Sequence, residues 1–489
     1  MSGIMPALLM LCPLVPAVLT FFLREDSHRL RNAVAIGSAL LKLALIAVVL
    51  LGVAAGNEYE LRIPLVPGLY MLLRVDELSL LFITLSSFLW LVTTVYAIAY
   101  LGGHENLSRF FGFFNLCVAA TTGIALSGSL VTFFFFYELL TLSTWPLVVH
   151  NGDEKSLSAG RTYLAYTMGG SAALLLGIVW AEGVAGPVEF IAPLDFEDTG
   201  TLAQRLIFVL CVGGMGVKAA LIPLHGWLPT AMVAPAPVSA LLHAVAVVKA
   251  GAFGIIRFIH DVYGIARVEE LALGLPLALI ASATIIYGSV RALQQTDIKR
   301  RLAFSTVSQV SYIVLGASLA GPIAAIGGLV HLVHQGLMKV TLFFAAGALA
   351  ERIEVRSVDQ LDGAGRRMPL TMVAFSLAAL GMIGVPPLAG FMSKWFIGVG
   401  ALEAGRGWVI LVLAGSSLLN AAYFLPLIYR AWFKPAPEGA VSAGAERPLA
   451  LILPAVVTAI SVLGAGVLAG LWISPLGWAT LIVEREYLP

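Results

Sequence analysis

Charge is what this 489-residue chain has least of. Only 12% of its residues are Asp, Glu, Lys or Arg, while 59% are hydrophobic; an ordinary soluble protein carries about 25% charged residues. The basic residues are too few and too scattered to form a nucleic-acid patch, and a net charge of +1 gives none. Cysteine is almost missing. Cys12, Cys117 and Cys211 stand alone in apolar runs and no CxxC occurs, which speaks against iron–sulfur and zinc sites and leaves three small buried hydrophobes. No glycine-rich turn joins a strand to a helix, so nothing is read as holding a flavin or nicotinamide. No cofactor or metal is expected on this chain. Soluble domains and long polar linkers are missing too. The opening run MSGIMPALLMLCPLVPAVLTFFL has no basic residue ahead of it, and it reads as a first transmembrane helix rather than a cleaved leader.

What the chain has in abundance is long apolar runs. Stretches of 18 or more such residues recur from end to end, the signature of an all-α polytopic membrane protein seated in a lipid bilayer. The short alternating segments of a β-barrel are not there. About fourteen spans are expected, near residues 4–23, 33–54, 77–101, 110–127, 130–149, 162–182, 205–225 (continuing, broken, to about 233), 237–259, 271–290, 302–319, 323–349, 370–400 (broken), 408–429 and 450–472. Asn57–Val75 alternates and reads as a short external hairpin, and Gly183–Gln204 as an acidic external loop. With the N-terminus outside, the inner loops carry 17 basic residues and the outer ones 7, so both termini are expected to face outward.

The five remaining basic residues, Lys42, Lys218, Lys249, Lys339 and Lys394, are all lysines inside spans, whereas every arginine falls in a loop or at a span end. A lysine at mid-bilayer costs about 2.5–3.5 kcal/mol on insertion scales. Arginine cannot give up its proton in a protein, while a buried lysine titrates readily. A structural cation can be either residue; a proton carrier has to be lysine. Lys42 has no polar neighbour in its run, so snorkelling or helix pairing suits it as well.

Five stretches gather the polar chemistry. In FFFFYELLTLSTWPLVVH, Glu138 is the one acidic residue deep in a span, and Lys218 is its natural counter-charge; a static pair serving helix association is the plainer alternative. In GVKAALIPLHGWLPTAMVAPAP, Pro223 and Pro229 break the helix after Lys218; the next span carries His243 and Lys249. In GLVHLVHQGLMKVTLFF, His331, Gln335 and Lys339 fall at i, i+4 and i+8 on one face with His334 beside them, a polar line that includes groups titrating near neutral pH. AFSTVSQVSY, just before it, adds hydroxyls that either hold water or bond back to their own helix. In GVPPLAGFMSKWFI, Pro386 and Pro387 break a second helix ahead of Lys394. Irregular backbone survives in a membrane only where protein buries it or water reaches it, and matched broken helices in two halves mark transporter ion sites. The expected organisation is residues 1–105 as three N-terminal helices and the hairpin, 106–262 and 263–432 as two inverted five-helix repeats, and 433–489 as a last helix.

Together the glutamate of FFFFYELL, the lysine of GMGVKAALIPLHGWLP, the HLVHQGLMKVTLFF stretch and GVPPLAGFMSKW resemble the antiporter-like membrane subunits shared by respiratory complex I, membrane-bound hydrogenases and Mrp-type cation/proton antiporters. The shorter Mrp D-type and hydrogenase-associated members are the nearest in wording. The resemblance implies a prokaryotic inner-membrane protein working among other membrane subunits and, in one reading, beside a redox module. It implies Glu138 and Lys218 as a gating pair, Lys249 as central carrier, His243, His331, His334 and Lys339 as a hydrated axis, and Lys394 as the exit-side residue. Three readings follow: a subunit moving protons, with or without sodium; the membrane arm of a quinone oxidoreductase or hydrogenase whose redox centres lie on partner chains; and a subunit for another solute such as inorganic carbon.

Overall fold

A computed structural model describes residues 3–191, 193–196, 199–437 and 446–487. Part of the acidic loop (192, 197 and 198) lies outside them. The chain runs through α1 (Ile4–Phe22), α2 (His28–Ala54), an antiparallel hairpin of β1 (Tyr59–Val66) and β2 (Leu69–Val75), α3 (Glu77–Tyr100), α4 (Leu107–Leu126), α5 (Leu130–Val148), α6 (Glu154–Ala185), α7 (Thr201–Lys218), α8 (Trp227–Thr230), α9 (Ala236–Ala240), α10 (Val247–Arg257), α11 (Ile265–Glu270), α12 (Gly274–Leu293), α13 (Ile298–Ser318), α14 (Pro322–Ile353), α15 (Ala364–Arg367), α16 (Pro369–Ile383), α17 (Ala389–Glu403), α18 (Trp408–Phe433), α19 (Leu449–Val467) and α20 (Pro475–Ile482). Among the described residues, 12 helical stretches are long and apolar enough to cross a membrane. Adding α13, whose first turn carries Lys299, Arg300 and Arg301, and the broken pair α16–α17 gives the fourteen crossings expected.

Local sequence sets the helix ends. Ser129, Asp153 and Asp297 cap α5, α6 and α13 by accepting a backbone N–H three residues on, and Pro322 and Pro369 open α14 and α16, where a missing N–H costs nothing. Both expected breaks are present. After Lys218 the chain turns through Ala220, whose positive φ of 57° is a conformation an alanine enters at a cost of roughly 1–2 kcal/mol. After Ile383 it turns through Gly384 at φ 96°, where any Cβ would also meet the Lys394 side chain.

The chain divides into two compact units. The first comprises Met1–Thr94, Gly103–Ala219 and Val245–Leu273. In it α4 packs on α1 and α5, and α6 on α7. The α6–α7 seam is very close: a Cβ at Gly170 would meet Val217, one at Gly177 would meet Cys211 Sγ, and one at Gly214 would meet the Gly170 carbonyl. The hairpin is held down by charge. Arg62 and Arg74 both bridge Glu60 and Glu189, and the Tyr70 hydroxyl donates to Glu189. The second unit comprises Val95–Gly102, Ala220–Ala244 and Gly274–Pro489. Its centre is α14, the 32-residue helix whose apolar core window is wholly buried, against α13, α16, α17 and α19.

Three details differ from expectation. The span expected at 237–259 runs to Tyr263 and contains two π-helical turns, Leu241–Val245 and Phe258–Tyr263. Asp261 therefore lies within a span, so Glu138 is not the sole carboxylate there. Asp261 pairs with Arg257 at 2.7 Å, and Arg257 also grips Asp76 at 2.5 Å. Arg31 and Arg301 do lie at span ends but are buried there, and Arg257, four residues deeper than Asp261, lies buried inside the extended span. Lys42 does have a polar neighbour: it is fully buried, and its Nζ donates to Thr122 Oγ1 on α4 at 2.6 Å, so it does not snorkel.

Candidate functional site

In the first unit, Lys218 is the last residue of α7, where the free carbonyls of a helix end favour a cation. Tyr137 of α5 wraps it. The Tyr137 carbonyl accepts a bond from Lys218 Nζ, the ring lies 3.3 Å below the ammonium, and the phenol hydroxyl donates to the Gly214 carbonyl one turn back along α7. Glu138, half-buried, turns the other way and accepts from Ser171 Oγ of α6. Among the described residues no ion pair joins Glu138 to Lys218. The two expected partners meet the same tyrosine, one through space and one through the chain, and do not meet each other. Lys249, on α10, is fully buried.

In the second unit, His243 sits in the π turn after α9, stacked 4.6 Å from the Phe343 ring, and among the described residues neither of its ring nitrogens has a hydrogen-bond partner. The face predicted on α14 is regular. His331 Nδ1 lies 2.7 Å from Ser393 Oγ of α17 and its ring 5.1 Å from Tyr312. His334 and Gln335 are fully buried. Lys339 Nζ donates to the Leu302 carbonyl at 3.0 Å and to Ser305 Oγ at 2.7 Å. Lys394, near the start of α17, reaches back to the carbonyls of Met382 and Ile383 at 3.0 and 2.8 Å and to Ser417 Oγ at 2.9 Å. Those two carbonyls end α16, where the break leaves them without helical donors. Pro386 and Pro387 thus create the acceptor set that the lysine uses, while Pro223 lies in the turn after α7 and Pro229 within the single turn of α8.

Of the hydroxyls of AFSTVSQVSY, Thr306 and Ser311 bond back to their own helix, while Ser305 meets Lys339 and Ser308 meets Ser289, contacts the sequence did not foresee. Sequence reasoning passed over Tyr137, Ser171, Ser417, Asn420, Tyr423 and the Asp76–Arg257–Asp261 cluster. Asn420, an amide inside a span, was the readable signal among them.

The family described as NADH:quinone oxidoreductase/Mrp antiporter, TM, matches residues 127–420. The chain belongs to this family. It is 34% identical over 490 residues to NADH-quinone oxidoreductase subunit N of Desulforudis audaxviator, with 95% of this chain and 96% of that one covered. It is 32% identical to hydrogenase-4 component B of Escherichia coli, over 66% of this chain but only 50% of that longer protein. Among solved structures, a chain of the Mrp complex from Dietzia sp. DQ12-45-1b superposes with a TM-score of 0.86 at 25% identity, with 98% of each chain covered. A chain of the archaeal membrane-bound sulfane sulfur reductase shares the fold at a TM-score of 0.87 and 24% identity, with 97% of each chain covered.

Proposed function

We propose that this member of the family carries protons through the membrane within a multi-subunit complex, along Glu138, Lys218 and Lys249 in one unit and His243, His331, His334, Lys339 and Lys394 in the other. The observation that carries the reading is how the two kinds of cation are held. Arg62, Arg74, Arg257 and Arg430 each grip carboxylates, while Arg301, at the start of α13, rests on loop and chain carbonyls. Lys218 and Lys394 are held by carbonyls, a hydroxyl and a ring face, and among the described residues neither has an ion-pair partner. A group that must alternately hold and release a proton is better served by neutral oxygens, which favour its charged form less strongly than a carboxylate would. Asymmetric charge in the loops supports placing both termini on the outer face.

The test is proton flux into vesicles carrying the purified complex, read with a pH-sensitive dye, for Glu138→Ala, Lys218→Ala and Lys249→Ala. Loss of flux with intact assembly is expected; wild-type flux in all three ends the proposal. A second reading, the membrane arm of a redox-driven oxidoreductase, is favoured by the near-complete alignment with a subunit N. It places the redox chemistry on partner chains. Iron and quinone-reductase activity co-purifying with the complex select it over a gradient-driven antiporter built of membrane subunits alone.

A further inference from the structure

Lys339 and Lys394 are joined inside the second unit by a continuous hydrogen-bonded chain through two α18 residues that no sequence motif singles out. Lys339 Nζ donates to Ser305 Oγ at 2.7 Å, and the Tyr423 hydroxyl lies 3.0 Å from that same oxygen. The Tyr423 hydroxyl also contacts Asn420 Oδ1. Asn420 Nδ2 then donates to the Met382 carbonyl at 3.4 Å, the carbonyl that Lys394 Nζ also uses at 3.0 Å. Ser305, Asn420 and Tyr423 are all fully buried.

Counting protons along this chain gives it two states. A tyrosine hydroxyl has one proton, and here two oxygens compete for it. A serine hydroxyl likewise has one proton to give and lone pairs to receive. When Lys339 is an ammonium it can only donate, so Ser305 accepts from it and turns its own proton to the Tyr423 oxygen. Tyr423 then donates to Asn420. When Lys339 is a neutral amine, its lone pair accepts the Ser305 proton. Ser305 is then free to accept from Tyr423, and Asn420 Oδ1 loses its donor. An amide whose carbonyl accepts a bond polarises and donates more strongly through its N–H, so Asn420 competes with Lys394 for the Met382 carbonyl more in the first state than in the second. Apart from the proton that Lys339 itself gains or loses, none is transferred; two O–H bonds rotate.

The surroundings hold everything else still. Arg301 donates to the Tyr423 carbonyl at 2.9 Å and is itself tied to the carbonyls of Gln295 and Leu293. The Tyr423 ring packs 4.6 Å from Phe424. The charged and titratable groups felt directly at Tyr423 include Arg301 and Tyr312, while Lys339 reaches it through Ser305. Resting on the proton-carrying reading above, we propose that the Tyr423 hydroxyl is a two-position switch that passes the protonation state of Lys339 to Lys394, with Asn420 as its receiving contact.

The intact complex, carrying ring-labelled tyrosine, is followed by infrared spectroscopy across pH. The band that disappears in Tyr423→Phe belongs to Tyr423. It is expected to move with pH in the wild type and to stay fixed in Lys339→Met. A band that never moves, or that still moves in Lys339→Met, overturns the switch. In vesicles, Tyr423→Phe should assemble normally and lose about three- to tenfold in flux, the worth of one buried hydrogen bond; wild-type flux and pH profile overturn the switch. Should Lys339→Met and Lys394→Met both retain full flux, the underlying proton-carrying reading fails instead. If those two variants lose flux while the Tyr423 band is immobile, only the switch is wrong.

Discussion

Lys218 and Glu138 are separated by a single residue's chemistry: the ammonium bonds to the carbonyl of Tyr137, and the carboxylate of the next residue faces Ser171 on a different helix. The structure thus holds this acid–base couple apart, with a hydroxyl standing in where the lysine would bind. Ser171→Ala removes that alternative partner. A hydrogen bond to a charged group is worth about 1.5–3 kcal/mol, so the couple should close and flux should fall by roughly tenfold or more. Ser171→Thr, which keeps the hydroxyl, should restore it. Initial dye-quenching rates in vesicles decide this.

Lys218→Arg and Lys394→Arg should be as inactive as the alanine variants. Guanidinium supplies the same charge but cannot release its proton. Flux measured beside assembly on native gels checks this, and activity in either arginine variant would mean that charge alone suffices there.

These positions were legible because a lysine in an apolar run conflicts with its own surroundings, and proline conflicts with a helix. The crossings follow from the long apolar runs themselves, and both breaks and the polar face of α14 from such conflicts. Tyr137, Ser171 and Tyr423 were not legible: tyrosine and serine are ordinary in spans, and only packing shows which of them borders a buried lysine, a glutamate or another hydroxyl. The π turn at His243 also escaped, because an extra residue per turn leaves apolar composition unchanged. The reach of that same span to Asp261 was hidden by its ionic residues, which looked like the start of a loop.

Arg257→Ala should be among the most destabilising single changes in the first unit. It leaves Asp76 and Asp261 without their counter-charge, a loss of about 3–5 kcal/mol for a broken buried pair. Adding Asp76→Asn and Asp261→Asn should recover part of it. Thermal unfolding of the detergent-solubilised protein measures both.

The hairpin should loosen in acid. Burial works against the charge on Glu60 and Glu189, but hydrogen bonds from Arg62 and Arg74, with Tyr70 on Glu189, outweigh it and hold both below the usual carboxylate range. Carboxylates depressed in this way stabilise the fold above their unfolded pKa, about 4.3 for glutamate, and that contribution is lost as pH falls through the folded values. Hydrogen exchange of the Tyr59–Val75 amides at pH 7 and pH 4 should show protection dropping at the lower pH, and Arg74→Gln should show the drop already at pH 7.

Gly390→Ala should prevent the α16–α17 break from closing, since the new Cβ would crowd the Gly381 carbonyl oxygen far inside van der Waals contact. Assembly yield should collapse, in contrast with Gly464→Ala on α19, where the added methyl group meets no neighbouring atom.

The glycine seam between α6 and α7 bears on tempo. Ser171 lies on one side of that seam beside Gly170, and Lys218 ends the helix on the other, four residues beyond Gly214. Backbones packed this closely leave little room for one helix to slide or tilt against the other. What remains mobile at this station is the lysine's own four-carbon stem and the shorter arm of the glutamate. Side-chain rotations are far quicker than the microsecond-to-millisecond swings of whole helices. On the proton-carrying proposal, a charge handled here would be paced by rotamers and by proton supply, and a slow step in the complex would have to be sought in what drives it.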